Sequence, residues 1–402
     1  MRRNFWIVAL MGGGILTIVL GLRQTFGLFL DPMTAHLEIG RGTYAFALAL
    51  MNLLWGLGSP FAGAIADRYG PARVAILGGV AYAAGLLLMA TSGSSGQLIF
   101  SGVLLGFGLS GAGFTVILGA VGRAAPPEKR SQALGLASMG GSFGQFIAIP
   151  YVSMLFGGFE WITVLFILAG TSLLVFPLSV GIRGLTARDS GQGTTQSVSE
   201  AFREASGHSG FWLLTAGFFV CGFHLAFIGV HLPSYVTDQG LQPSTAAVAL
   251  MLIGFFNMIG TYVAGLLGSR FYKKKVLTLI YLMRGVLFLF ILFVPVTQLS
   301  VYLFAAMMGF IWLGTVPLTS GLIATLFGPA YMSMLYGIVF LSHQVGSFTG
   351  VWLAGYLYDK VGSYDLMWIL SAGLALLSAV LHWPIVEKPV ARLQQEMGTQ
   401  SG

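Results

Sequence analysis

Gly63-Ala64-Ile65-Ala66-Asp67-Arg68-Tyr69-Gly70-Pro71-Ala72-Arg73 joins two long apolar stretches through a short charged bend, with Gly70 and Pro71 supplying the turn. At a constant offset of 202 residues the chain repeats the pattern as Gly265-Leu266-Leu267-Gly268-Ser269-Arg270-Phe271-Tyr272-Lys273-Lys274-Lys275. Gly63, Arg68 and Arg73 match Gly265, Arg270 and Lys275, and the same offset carries Gly27 onto Gly229. Phe159-Glu160 matches Tyr364-Asp365 at a slightly larger offset. The chain reads as two copies of one half.

Outward from these loops, apolar segments of at least about 17 residues qualify as membrane spans. Twelve occur, roughly at 5–30, 43–66, 73–91, 97–122, 131–156, 159–182, 211–234, 244–268, 275–295, 299–324, 332–357 and 364–385. The composition agrees: 56% of the 402 residues are hydrophobic and 8% charged, against roughly 25% charged in soluble domains. The 57 glycines suit close packing of membrane helices. The expected fold is therefore an all-α membrane protein of twelve transmembrane helices in two pseudo-symmetric six-helix bundles. Residues 1–183 and 210–402 form the bundles. The polar stretch 184–209 is a linker, with a short amphipathic helix around Val198–Ala205.

Basic residues orient the chain. With the N-terminus cytoplasmic, sixteen Lys and Arg fall in cytoplasmic loops and termini against two, Arg41 and Lys360, outside. Both termini are then cytoplasmic. The apolar run after Met1-Arg2-Arg3-Asn4 outlasts a signal peptide's core and lacks a small-residue cleavage site, so it reads as a retained first span. Cys221 has no second cysteine to pair with. The basic residues are scattered despite a sequence pI near 9.5, which argues against nucleic acid as a partner. No metal-ligand spacing, phosphate-cradling loop or nucleophile–base pair is present, so neither a cofactor nor enzymatic chemistry is expected.

The loop Gly63–Arg73 resembles the signature of the major facilitator superfamily, which runs Gly, Asp-Arg, Gly and a basic residue between spans two and three. Within it the chain looks most like bacterial relatives of the monocarboxylate transporters and oxalate:formate antiporters. That narrower likeness rests on Arg23-Gln24-Thr25-Phe26-Gly27-Leu28-Phe29, His343-Gln344-Val345-Gly346-Ser347-Phe348, Gly355-Tyr356-Leu357-Tyr358-Asp359 and Gly362-Ser363-Tyr364. The resemblance implies a midplane site at the repeat interface. It also implies that Gly63, Asp67, Arg68, Gly70 and Arg73, with Arg270 in the weaker second copy, form a cytoplasmic gating latch; a mere topological anchor is the alternative.

Two cations lie deep inside spans, Arg23 and Arg284, and no Asp or Glu does; Glu160 and Asp365 stand only at the second residue of a span. A charge at membrane depth persists when it faces a polar cavity and has a partner there. The missing partner is read as an anion that comes and goes. Arg23 sits about 10 Å above the midplane if its helix is straight, although its long stem could instead snorkel to the outer surface. The resemblance supports capture, since the eukaryotic carriers have a Lys near this position. Arg284 is at mid-depth in span nine, where substrate contact and a structural role bonding carbonyls or Tyr281 stand as alternatives. Gln24, Asn52, Gln145, Asn257, Tyr262, Tyr336, His343 and Gln344 could complete a polar cavity, or bond helix to helix. Pro150 and Pro317 fit local kinks. Asn257 and Thr261 fill places where the eukaryotic relatives carry an Asp and an Arg, so those relatives' proton relay does not transfer. His224, His231 and His343 are the proton-coupling candidates, with His224 near Arg23's repeat-related position.

The expectation is a monomeric secondary carrier of small mono- or dicarboxylates in a bacterial inner membrane. It would work by rocking-bundle alternating access, with protons or a counter-anion as coupling partner and the lipid bilayer as surroundings. The competing reading is a proton-coupled efflux pump for drugs or other small hydrophobic compounds. Such pumps for cations typically keep a cavity acid, which the spans lack.

Overall fold

The computed structural model describes residues 4–186 and 196–400; residues 187–195, the middle of the expected linker, and Arg2 and Arg3 lie outside the described residues. Every regular element among the described residues is a helix. Eleven stretches are long and apolar enough to cross a membrane: Phe5–Phe29, Thr43–Tyr69, Pro71–Ala90, Ser95–Ala124, Arg130–Phe156, Trp161–Ile182, Ser209–Asp238, Pro243–Arg270, Lys273–Phe293, Gln298–Phe327 and Asp365–His382. The helix Met332–Val361, 30 residues long, lies between the last two. Numbered in chain order with this helix as the eleventh, the twelve helical stretches are referred to below as spans one to twelve.

The chain divides into two compact units. The first comprises Met1–Pro126, Leu136–Thr195 and Ala330–Gly337; the second comprises Pro127–Gly135, Gln196–Pro329 and Ile338–Gly402. The first turns of spans five and eleven thus each belong to the unit built mainly from the other half.

Within the first unit, span five lies against span one through small residues. A side chain at Gly140 or Gly144 would collide with the backbone of Gly13 or Thr17, which is how glycine lets membrane helices approach. Thr17 adds a hydroxyl bond to the Gly140 carbonyl at 2.7 Å. Span two ends at Gly70, whose φ of +103° an L side chain would strain. Pro71 opens span three at a position where the missing N–H costs nothing.

Four spans are not continuous helices; among them span six is helical over Trp161–Ser172 and Val175–Ser179 and ends in the 3-10 turn Val180–Ile182. Span one is helical over Phe5–Gln24 and then tightens into a 3-10 turn, Phe26–Phe29. Thr25 Oγ1 donates to the Leu22 carbonyl at 2.8 Å there, so the straight helix assumed for locating Arg23 stops one residue beyond it. Span four breaks at Gly113, between Ser95–Ala112 and Phe114–Ala124. Span ten breaks between Gln298–Phe310 and Thr315–Phe327. Pro150 does lie inside the continuous helix Arg130–Phe156. Pro317 instead sits in the first turn after the span-ten break, where proline is tolerated.

The helix Val198–Ser206 starts with a capping box: Ser197 N–H donates to Glu200 Oε2 at 2.6 Å and Glu200 N–H to Ser197 Oγ at 3.2 Å. The backbone bond from Ser197 holds the Glu200 carboxyl below its usual range. A carboxyl depressed in the folded state stabilises above its unfolded pKa and loses that contribution as pH falls through the folded value. NMR Cα shifts of Val198–Ser206 should therefore hold from neutral pH down to about pH 5 and move toward coil values below about pH 4. Glu200→Gln should flatten that step.

Candidate functional site

Arg23 occupies the last turn of the helix Phe5–Gln24 and is partly exposed. Its Nε and Nη2 both donate to Asn52 Oδ1, at 3.1 and 2.7 Å. Asn52 in turn donates Nδ2 to the Leu48 carbonyl at 2.9 Å, which turns its oxygen toward the guanidinium. The guanidinium lies 5.2 Å from the Trp55 ring centroid, a distance at which the ring face attracts a cation. Asn52 and Trp55, one turn apart on span two, thus hold the Arg23 guanidinium against its own bundle. Both partners are neutral, so the charge is oriented but not cancelled. Gln24 is exposed and Gln145 half-buried.

Arg284 is fully buried in the second unit. Its Nη2 donates to the Ile311 and Trp312 carbonyls at 3.0 and 2.6 Å, and its guanidinium lies 5.2 Å from the Tyr281 ring centroid. These carbonyls lie at the span-ten break, where the helix leaves its acceptors without partners. Asn257 serves the other side of the break: its Oδ1 accepts from the Leu313 N–H at 3.1 Å and from Thr261 Oγ1 at 3.0 Å. Arg284 Nε and Nη1 meet no hydrogen-bond partner among the described residues. Cys221 Sγ and Thr315 Oγ1 lie 3.1 Å apart at the start of the helix beyond the break. No ion pair among the described residues includes Arg23 or Arg284.

The three candidate histidines lie in the second unit and differ. His224 is fully buried, and its Nε2 lies 2.9 Å from the Ser371 carbonyl. A carbonyl only accepts, so Nε2 carries the proton. His343 packs between Phe218 and Phe340, with Nδ1 3.2 Å from Gln344 Oε1. His231 is half-buried; Nε2 faces the Val351 carbonyl at 3.1 Å and Nδ1 the Tyr364 hydroxyl at 3.0 Å. Tyr262 is half-buried, whereas Tyr336 is buried in the first unit.

The loop signature divides sharply. Arg68, Arg73 and Arg270 are exposed, while Asp67 is fully buried and ion-paired with Arg123. Asp67 also accepts from the Ser333 N–H at 3.3 Å and the Met334 N–H at 2.9 Å. These are free donors of the first turn of span eleven, where a negative charge is favoured. Arg123 further donates to Ser333 Oγ at 3.2 Å and to the Leu185 carbonyl at 2.7 Å. Gly63 lies against the Ser333–Met334 backbone, where a Cβ would collide.

Sequence reasoning counted Arg123 as one more loop cation and passed over Ser131, Ser333 and the helix breaks of spans four and ten. The 202-residue offset carried a signal for them. It maps Ser131 onto Ser333, Gly119 onto Gly321 and Gly113 onto Thr315. In the second unit Gly265 meets Ser131 and Gly135 as Gly63 meets Ser333 in the first. Ser269 and Thr325 stand where Asp67 and Arg123 would be, so that copy keeps the close packing without the charges.

The sequence profile of the Major Facilitator Superfamily matches residues 7–348. Monocarboxylate transporter 13 of Rattus norvegicus is 25% identical over 377 residues, covering 92% of this chain and 86% of that protein. The uncharacterized MFS-type transporter YhjX of Escherichia coli (strain K12) is 26% identical over 359 residues, with 86% of each chain covered. The crystal structure of the Major Facilitator Superfamily transporter FucP is similar in fold, with a TM-score of 0.72 at 18% identity over 96% of this chain and all of that one. On the profile match and the fold together, the chain belongs to the Major Facilitator Superfamily, a family of transporters rather than enzymes.

Proposed function

We propose that the protein carries small organic anions, mono- or dicarboxylates, by rocking-bundle alternating access, with Arg23 as the group that captures the carboxylate. The observation that carries this reading is the state of Arg23: a partly exposed guanidinium, aimed by Asn52 and Trp55, with no Asp or Glu paired to it among the described residues. A guanidinium offers two parallel donors to a carboxylate, a fit that an ammonium cannot copy. The relatives named monocarboxylate transporters support the same substrate class. The proposed setting is the cytoplasmic membrane of a bacterium, and coupling is to protons or to a counter-anion.

Arg284 takes a different part in this proposal. Its bonds go to backbone carbonyls of a broken helix, so it holds the span-ten break open and leaves anion capture to Arg23. Uptake of a radiolabelled monocarboxylate into proteoliposomes separates the two roles. Arg284→Leu, which removes both bonds to the carbonyls, is expected to lower the melting temperature and leave the half-saturation concentration within about twofold. Arg23→Lys should raise the half-saturation about tenfold at an unchanged melting temperature, the loss of roughly one charge-assisted bond. Equal rises in half-saturation for both variants would make Arg284 a substrate ligand.

The proposed gating role of the signature loop centres on the buried Asp67–Arg123 pair and the span-eleven N–H groups it holds. The exposed Arg68, Arg73 and Arg270 are assigned to orientation in the membrane. For the histidines, Asn-like or Gln replacements measured with and without a pH gradient decide whether any carries a proton. A proton-coupled carrier loses gradient-driven uptake but keeps exchange when that histidine is replaced, whereas an exchanger is indifferent to the gradient from the start.

A further inference from the structure

Where spans nine and twelve meet, the second unit carries a small cavity of about 140 Å³ lined by Lys274, Lys275, Thr278 and Trp383. Glu387, close by, is already engaged: it pairs with Lys273 Nζ at 3.1 Å and accepts from the Lys274 N–H at 3.1 Å. Among the described residues the side chains of the two cavity lysines have only neutral partners. Lys274 Nζ donates to the Trp383 carbonyl at 3.0 Å, and Lys275 Nζ lies 5.5 Å from the Tyr272 ring centroid. Trp383 itself is 66% exposed, the amphipathic ring expected at a membrane–water boundary.

What lies beyond the cavity is apolar. From Lys275, successive outward positions of span nine are Leu279, Leu282 and Val286, all exposed. From Trp383, span twelve presents Val380, Leu377 and Leu376, also exposed. Spans nine and twelve pack together along their length, with Gly285 against Ala375 and Ala372 at small-residue spacing. Two cations and an interfacial tryptophan therefore head two apolar stripes that run into the hydrocarbon region.

We propose that this cavity binds the phosphate headgroup of an anionic phospholipid, whose acyl chains lie on the stripes of spans nine and twelve. The ligand is amphipathic because the site is: charge at one end, hydrocarbon along the rest. Attraction of a lysine near the surface to anionic lipid is the expected driving term.

The test is native mass spectrometry of the full-length protein released from micelles containing phosphatidylglycerol or phosphatidylcholine. The wild type is expected to retain phosphatidylglycerol in preference to phosphatidylcholine. Lys274→Gln with Lys275→Gln should weaken that retention roughly 30-fold, while Lys274→Arg with Lys275→Arg should keep it. Lys275→Gln alone, which leaves the Lys274–Trp383 bond in place, should lose part of the preference even if the double variant folds poorly. Equal retention of the two lipids by the wild type, or unchanged retention in Lys275→Gln and the double variant, would overturn the proposal. So would inorganic phosphate displacing the lipid at millimolar concentration, since the site would then be one for the free ion.

Discussion

Replacing Arg23 by Gln is expected to raise the half-saturation concentration for carboxylate uptake about 10- to 100-fold. A hydrogen bond to a charged group is worth about 1.5–3 kcal/mol, and each 1.4 kcal/mol is a factor of ten. Gln keeps a donor that can reach Asn52 Oδ1 but removes the charge that the anion needs. The effect should fall on half-saturation because Arg23 is held by neutral groups, Asn52 and Trp55, whose own packing does not depend on a guanidinium charge. The fold should survive, with a melting temperature close to wild type. Asn52→Leu is expected to act in the same direction with a smaller effect, because it removes the acceptor that aims Arg23 without removing the charge. Initial rates in proteoliposomes over a range of carboxylate concentrations provide the check.

The second large effect is on stability. Asp67→Asn leaves Arg123 as a buried cation facing an amide, and breaking a buried pair on one side costs about 3–5 kcal/mol. The loss includes the charge that faces the Ser333 and Met334 N–H groups, where a carboxylate is favoured by the helix terminus. Reversible unfolding in mixed micelles should show the drop. Asp67→Asn combined with Arg123→Leu should recover a large part of it, because the uncompensated charge has gone. If the double variant is as unstable as the sum of the two single ones, the pair is not the unit that stabilises this end of span eleven. Arg68→Gln, by contrast, should change stability little, since that side chain is exposed over the Tyr69 ring.

The membrane fold was legible because its signal is composition and period. Long apolar runs admit little besides spanning helices, and the loop Gly63–Arg73 with its copy shows where two halves join. Helix interruptions were less legible. Span four breaks at Gly113 in a segment with many other glycines, and span ten breaks across Ile311–Gly314, whose residues look like any apolar run. What makes the second break tolerable lies far away in sequence, on Asn257 and Arg284. Such partners are fixed by packing and leave no local pattern.

The same limit explains the two intramembrane arginines. Both stood out as charges without acids, and only the resemblance to anion carriers favoured Arg23; in the fold Arg23 is partly exposed with an oriented charge, while Arg284 is buried against carbonyls. Arg123 went unnoticed for the opposite reason. At the end of span four it looks like one more loop cation, and only the fold shows it beside Asp67.

The central claim is that Arg23 binds the transported anion. Its most direct test is carboxylate binding to the detergent-purified protein, followed as a thermal shift, in wild type and Arg23→Gln together. The panel should contain two- to four-carbon mono- and dicarboxylates, with lipophilic cations as the counter-series. A ligand at 100 times its dissociation constant stabilises the folded state by about 2.7 kcal/mol. At least one carboxylate should therefore raise the wild-type melting temperature by a few degrees, and Arg23→Gln should lose that shift at the same concentration. Stabilisation by lipophilic cations alone, or a carboxylate shift undiminished in Arg23→Gln, would contradict the account.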